Sequence, residues 1–216
     1  MFILEMHQIK KWYGERLILD IPSLEVNRGD HIGIIGLNGS GKSTLLNIMK
    51  QDEIPDEGQV KQKDLLISYI RQIDDSVKPM CNIIARELDV IKSIDSPCYS
   101  GGEKTKLKIA QALEKQTDLL LADEPTANLD FESKQKVYNF IVSVPTFVVV
   151  SHDREFLNLC SYIWELKNAK IHVFKGNYEN YVYQSKLLKD QEVKNTKSIV
   201  KKKTIDKSSS AKETVS

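Results

Sequence analysis

The stretch from Ile32 to Lys50 restricts this chain more than any other. The apolar run Ile32-Gly33-Ile34-Ile35 breaks into Gly36-Leu37-Asn38-Gly39-Ser40-Gly41-Lys42-Ser43-Thr44, then resumes as Leu45-Leu46-Asn47-Ile48-Met49-Lys50. It reads as a strand, a glycine-rich turn and a helix, the arrangement of a phosphate-binding loop. The glycines let backbone N–H groups close around a phosphate without Cβ collisions. Lys42 brings positive charge to the outer phosphates, and the Ser43 hydroxyl can reach Mg²⁺. A helix opening near Lys42 aims its positive dipole end at the same anion.

Other stretches supply the groups such a loop needs for phosphoryl chemistry. Leu119-Leu120-Leu121-Ala122 is a continuous apolar run that ends in Asp123-Glu124, a strand buried on both faces with two carboxylates at its carboxyl end. Ligands of open α/β sheets sit at that end. Asp123 can hold Mg²⁺ together with Ser43, while Glu124 faces differently and can take a proton from an attacking water. Thr146 to Val150 is a second buried strand, and it delivers Ser151-His152-Asp153. His152, at that strand's carboxyl end, could donate to a phosphate oxygen as charge develops or, read alone, be a structural histidine, whereas His7, His31 and His172 sit in strand-like contexts without a partner pattern.

Three further features leave alternatives open. A strand Leu66 to Ile70 leads to Arg71-Gln72, whose amide oxygen suits a metal and whose NH₂ suits a phosphate; a lone Gln is also a common surface residue. Tyr99-Ser100-Gly101-Gly102-Glu103-Lys104 opens a long helix, Glu103 to Gln116. Its start reads either as a second anion site, which would relieve Lys104 and Lys106 at the positive end of the dipole, or as an ordinary Ser N-cap with a Gly-Gly hinge. Trp12 and Tyr13, in an expected turn from Lys10 to Arg16, could stack on a base or cover a sheet edge.

The remaining elements fill in an α/β chain. Phe2 to Ile9, Leu17 to Ile21, Leu24 to Asn27 and Gln59 to Lys61 are expected as strands, with Pro22-Ser23 as a turn. An amphipathic helix is expected from Pro79 to Lys92, and a helix Phe131 to Val142 is N-capped by Asp130 after the Ala127-Asn128-Leu129 turn. Residues 162–166 and 170–174 form a hairpin around Lys167-Asn168-Ala169. Residues 179–207 read as a charged helix with thin apolar spacing, frayed or disordered near Ser208 to Ser210.

A chain of 216 residues can bury about 70% of its unfolded surface without staples. No apolar run approaches the roughly 20 residues of a membrane span, and Glu5 and His7 interrupt Met1 to Ile9, so neither a span nor a signal peptide is expected. The chain is expected to be cytoplasmic. Cys81, Cys98 and Cys160 lack metal or disulfide spacing and read as small apolar residues. The net charge of +1 hides an asymmetry, because residues 185–216 hold nine Lys against four acidic residues and the remainder is therefore acidic.

Gly36 to Ser43, Gln72, Ser100 to Glu103, Leu119 to Glu124, Asn128 to Asp130 and His152, in that order, resemble the ATP-binding cassette (ABC) ATPases across essentially residues 1–184. The resemblance implies the ABC-type P-loop NTPase fold: a mainly parallel core sheet, an antiparallel β subdomain and a short helical subdomain. Residues 185–216 would be a basic helical linker or tail. The implied ligands are ATP and Mg²⁺. Tyr13 or Trp12 would stack on adenine, and Gly36, Leu37, Asn38, Gly39, Ser40, Gly41, Lys42, Ser43, Thr44 and Gln72 would bind the nucleotide. Ser43, Gln72 and Asp123 would organise the metal, Glu124 would be the general base and His152 would sense the γ-phosphate. Ser100, Gly101, Gly102 and Glu103 would touch the ATP of a second cassette, whether in a homodimer or in a missing second half.

Within that superfamily, Ser-Gly-Gly-Glu-Lys-Thr with Glu103 looks like the ABC-F branch. So do Ser151 to Leu157 and the turn Lys175-Gly176-Asn177-Tyr178-Glu179-Asn180-Tyr181. The short spacing is similar to the first cassette of antibiotic-resistance members of the Vga type, with the tail from Gln184 onward like the start of their linker. ABC-F proteins are soluble tandem ATPases acting on the ribosome, so ribosomal RNA is an expected partner and DNA is not. A transporter's nucleotide-binding subunit and a non-hydrolysing ATP-binding fragment are the alternatives. Tyr99 stands where Leu usually precedes Ser-Gly-Gly, and only 27 residues separate Gln72 from Ser100, so an arm common in ABC-F first cassettes is missing.

Overall fold

A computed structural model describes residues 2–71, 83–90, 100–114, 117–127 and 129–191. Two sheets are present among them. Strands β1 (Phe2–Tyr13), β2 (Arg16–Asn27) and β4 (Glu57–Gln62) make an antiparallel sheet in the order β2-β1-β4. A larger sheet runs β5-β6-β7-β3-β8-β9, from β3 (His31–Gly36), β5 (Ile67–Ile70), β6 (Leu119–Asp123), β7 (Phe147–Val150), β8 (Tyr162–Lys167) and β9 (Lys170–Lys175). Only the β8–β9 pair is antiparallel in the larger sheet.

The pleat explains why the central strands are apolar throughout. Leu119 and Leu121 of β6 and Val148 and Val150 of β7 face one core, together with Ile32 and Ile34 of β3. Leu120, Ala122, Phe147 and Val149 alternate with them into a second core. The first core also takes Leu4, Met6 and Leu19 from the antiparallel sheet and Leu45, Leu46 and Ile48 from α1 (Lys42–Lys50). Each such side chain contributes about 1.5–3 kcal/mol on burial, so α1 is clamped between the two sheets. The second core is covered by α2 (Ile83–Glu87), α3 (Gly101–Leu113), α4 (Phe131–Ser143) and α5 (Arg154–Leu157).

Several local expectations change. β1 extends to Tyr13, and the turn tightens to Gly14-Glu15. β2 is one strand with Pro22 inside it, which its position at the outer edge of the sheet tolerates. α3 starts at Gly101 rather than at Glu103. Only Ile83–Glu87 of the expected helix 79–92 is helical among the described residues; Pro79 to Asn82, Ile91 and Lys92 lie outside them. Gln72, Cys81, Cys98, Tyr99, Asn128 and the tail beyond 191 also lie outside the described residues.

The β8–β9 hairpin turns on Asn168 and Ala169, at φ 51° and 63°, as a two-residue loop requires to match strand twist. The amide of Asp20 donates to the Ala169 carbonyl at 2.7 Å, which ties β2 to this turn. A final helix, α6, spans residues 178–191 and passes through position 184 without a break. Val182, Tyr183, Leu187 and Leu188 are exposed on it. Among the described residues, no helix is long and apolar enough to cross a membrane.

Candidate functional site

Strand order places the site. β6, β7 and β3 are adjacent and parallel, so the loops leaving their carboxyl ends emerge side by side. These loops carry Asp123-Glu124, Ser151-His152 and the glycine-rich stretch. A cavity of about 610 Å³ opens among them, a volume suited to a small ligand.

The loop and α1 form its floor. Gly41 is the N-cap of α1 with no side-chain cap, and the first turn has no acidic residue. The first amides of the helix are therefore available to an anion. Lys42 is 9% exposed, and its ammonium donates to the carbonyl oxygens of Gly36 at 2.9 Å and Leu37 at 3.1 Å. Burial lowers its pKa, against the pull of Glu124 and Asp123. The Leu37 side chain is exposed, so this residue contributes its backbone. The Ser40 amide donates to the Leu37 carbonyl and closes the turn.

One wall carries the acids. Ser43 Oγ donates to Asp123 Oδ2 at 2.5 Å, two hard oxygen donors in contact at the end of a buried strand. They suit Mg²⁺, which takes one or two protein oxygens and completes its shell with phosphate and water. Among the described residues no cluster of three His, Cys, Asp or Glu could hold a metal by itself. Glu124 adopts φ 50°, and its amide donates to the Val150 carbonyl at 2.9 Å. Its carboxylate meets His152, whose Nε2 is 3.4 Å from Glu124 Oε1. Burial raises the Glu124 pKa; His152 is the largest opposing influence. The result is a half-buried carboxylate whose proton affinity is raised by lost water, a suitable acceptor for a proton.

The third side comes from the antiparallel sheet. Tyr13 lines the cavity with half of its surface exposed, and its hydroxyl donates to Glu53 Oε1 at 2.8 Å and meets Thr44 Oγ1 at 3.1 Å. Trp12 does not line the cavity; Lys10 Nζ lies 5.8 Å from its ring centre. Of the two aromatics, Tyr13 is thus the one that lines the cavity. Arg16 and Ile18, which sequence reasoning missed, line the same side, and Arg16 donates to the Gly39 carbonyl at 3.2 Å. Their signal was the two-residue spacing of a strand starting at Arg16, hidden by the expectation of a turn up to that residue. Ala127 was also missed as a lining residue.

Of the expected residues, Tyr13, Asn38, Gly39, Gly41, Lys42, Ser43, Thr44, Asp123, Glu124 and His152 line one cavity. Gly36, Leu37 and Ser40 of the loop do not, nor do Ser100, Gly101, Gly102 and Glu103. Ser100 caps α3 instead: its Oγ accepts from the Glu103 amide at 3.3 Å, while its own amide donates to Glu103 Oε2 at 2.8 Å. Glu103 therefore supplies negative charge at the helix start beside Lys104 and Lys106.

The sequence profile of the ABC transporter family matches residues 19–81 and 81–127. The ribosome protection protein VmlR of Bacillus subtilis is 38% identical over 169 residues, covering 73% of this chain and 30% of VmlR. The energy-dependent translational throttle protein EttA of Escherichia coli K12 is 31% identical over 208 residues, 83% of this chain and 38% of EttA. The erythromycin resistance ATP-binding protein MsrA of Staphylococcus epidermidis is 32% identical, over 85% of this chain and 38% of MsrA. The chain thus spans about a third of the length of the curated relatives it matches. Among solved structures, the dimeric post-hydrolysis state of the ATP-binding cassette MJ0796 bound to ADP and Pi has a TM-score of 0.64 at 23% identity, covering 80% of this chain and 98% of that one. The ADP conformation of MJ1267, an ATP-binding cassette of an ABC transporter, has a TM-score of 0.64 at 25% identity, covering 84% and 94%.

Proposed function

From the chain's membership of the ABC transporter family of ATP-binding cassettes, we propose that it is an ABC-F-type cassette that binds and hydrolyses ATP in support of ribosome protection or translation control. The observation carrying the chemistry is the convergence of Lys42, the Ser43–Asp123 pair and the Glu124–His152 pair on one cavity. The names of VmlR, EttA and MsrA support the ribosomal setting.

In this reading the base stacks on Tyr13, and the phosphates lie along the amides that open α1. Lys42 leaves the Gly36 and Leu37 carbonyls to meet the outer phosphates, exchanging two neutral acceptors for charged ones. Ser43 and Asp123 hold Mg²⁺, which, when bound, neutralises charge on the phosphate oxygens. Glu124 orients a water in line with the terminal phosphorus and takes its proton. His152 donates to the phosphate oxygen on which charge grows. Water expulsion around the half-buried carboxylate strengthens these contacts.

The reading assigns residues 1–184 to the cassette and 185–216 to a linker. It also includes a second cassette, whose ATP would be met by Ser100 to Glu103; that role accounts for their position away from this chain's own cavity. Rapid hydrolysis therefore requires a paired cassette. Co-sedimentation of Glu124→Gln with ribosomes, with and without ATP, tests the proposal. ATP-dependent pelleting is expected. ATP binding without pelleting, together with co-purification with a membrane protein, would refute the ribosomal role in favour of a transporter's nucleotide-binding subunit.

A further inference from the structure

The hydroxyl of Tyr13 sits between a carboxylate and a hydroxyl, and donor counting fixes which way the protons run. A carboxylate only accepts, so the single phenol proton of Tyr13 goes to Glu53 Oε1 at 2.8 Å. The 3.1 Å contact between Tyr13 and Thr44 then has Thr44 as its donor. Thr44 has one hydroxyl proton, and it lines the cavity beside Ser43. That proton is therefore committed to Tyr13 and is withheld from any phosphate in the loop. Glu53 is itself held by Lys11, whose ammonium lies 3.3 Å from the same oxygen and donates to the Ile54 carbonyl at 2.9 Å. The chain Lys11–Glu53–Tyr13–Thr44 thus joins the end of β1 to the first turn of α1.

We propose that Glu53 is a positioning residue for nucleotide binding: it fixes the Tyr13 ring at the cavity wall and, through the phenol oxygen, controls whether the Thr44 hydroxyl is free for phosphate. This rests on the reading of the cavity as a nucleotide site. With Glu53 present, the ring is held ready for a base and Thr44 is occupied, which favours ligands having both base and phosphates over bare polyphosphate. Without it, the phenol proton turns to Thr44, Thr44 is released toward phosphate, and the ring loses its charged anchor.

The test measures dissociation constants of the whole chain, with magnesium, for ATP and for inorganic tripolyphosphate. Glu53→Ala is expected to weaken ATP and tighten tripolyphosphate, reducing the preference for ATP by about fivefold or more, the size of one net hydrogen bond. Tyr13→Phe, which keeps the ring, should move the preference the same way. In a Thr44→Val background, Glu53→Ala should no longer tighten tripolyphosphate, a dependence that mere loss of packing would not produce. A preference unchanged within about twofold in both Glu53→Ala and Tyr13→Phe, with ATP still bound, overturns the relay alone. Failure of the unaltered chain to bind either ligand overturns the nucleotide site and the relay with it.

Discussion

Two glycines of the phosphate loop differ in what a methyl group would meet, and the contrast yields a quantitative prediction. Gly39 has φ +73° with nothing within 4 Å of an added Cβ, whereas Gly41 has φ +107° and its Cβ would lie 2.4 Å from Ile18 Cγ2. Gly39→Ala therefore incurs only the left-handed backbone cost, about 1–2 kcal/mol. Gly41→Ala adds an overpacking cost of about 1–3 kcal/mol, because the atom it meets is a γ-methyl fixed to the β-branched carbon of the core residue Ile18, stiff at χ1, with the Ile18 carbonyl oxygen a further neighbour at 3.4 Å. The extra cost, taken as about 2 kcal/mol, corresponds to roughly 30-fold in affinity when the loop must recover its native shape to bind. Titration calorimetry with ATP and thermal unfolding of both variants measure where the strain appears, and the two losses should sum to more for Gly41→Ala. Ile18→Ala in the Gly41→Ala background should recover about 1–2 kcal/mol relative to additivity. Equal losses for the two glycines, or strict additivity with Ile18→Ala, would refute the steric argument.

Glu124→Gln should lower ATP turnover by about 10²-fold or more while leaving ATP binding intact, as removal of a general base does; single-turnover hydrolysis measures it. Burial raises the Glu124 pKa, so the acid limb of the rate should lie above the ordinary Glu range and disappear in Glu124→Gln. The folded chain also binds that proton more tightly than the unfolded chain. Glu124 therefore adds stability as pH falls through the raised pKa and opposes folding at neutral pH. Without magnesium, Glu124→Gln should raise the melting temperature near pH 7.5 and lose that advantage near pH 4. Tyr13→Ala should weaken ATP by about 1–3 kcal/mol, the range for base stacking on an aromatic, and Trp12→Ala should not; a larger effect at Trp12 would reverse the assignment.

The phosphate loop, the two acids and the histidine were legible in sequence because each follows an apolar strand whose carboxyl end is unmistakable. β6 and β7 announce themselves by continuous burial, and Asp130 caps α4 as its position before Phe131 suggested, accepting from the Ser133 amide at 2.9 Å. What stayed hidden depends on contacts distant in sequence. Arg16 and Ile18 reach the site only because β2 returns along β1, and Glu53 only because the turn after α1 lies under Tyr13. Pro22 was misleading, since a residue lacking an N–H reads as a turn unless the strand is known to be an outer one. Ser100 to Glu103 admit two outcomes from sequence, and the capping box is the local one.

The position of β3 between β7 and β8 has a bearing on how the protein is made. Ribosomes release chains amino-terminus first, so the whole phosphate loop emerges long before either neighbour of the strand that carries it. Until Phe147–Val150 and Tyr162–Lys167 have left the exit tunnel, β3 has no partner on either side in its own sheet. Such distant pairings are slow to form and leave apolar strands uncovered meanwhile. ATP capture should accordingly arise late and abruptly during synthesis. Stalled nascent chains would acquire it only once His152 and the β8–β9 hairpin have emerged, not when Lys42 does.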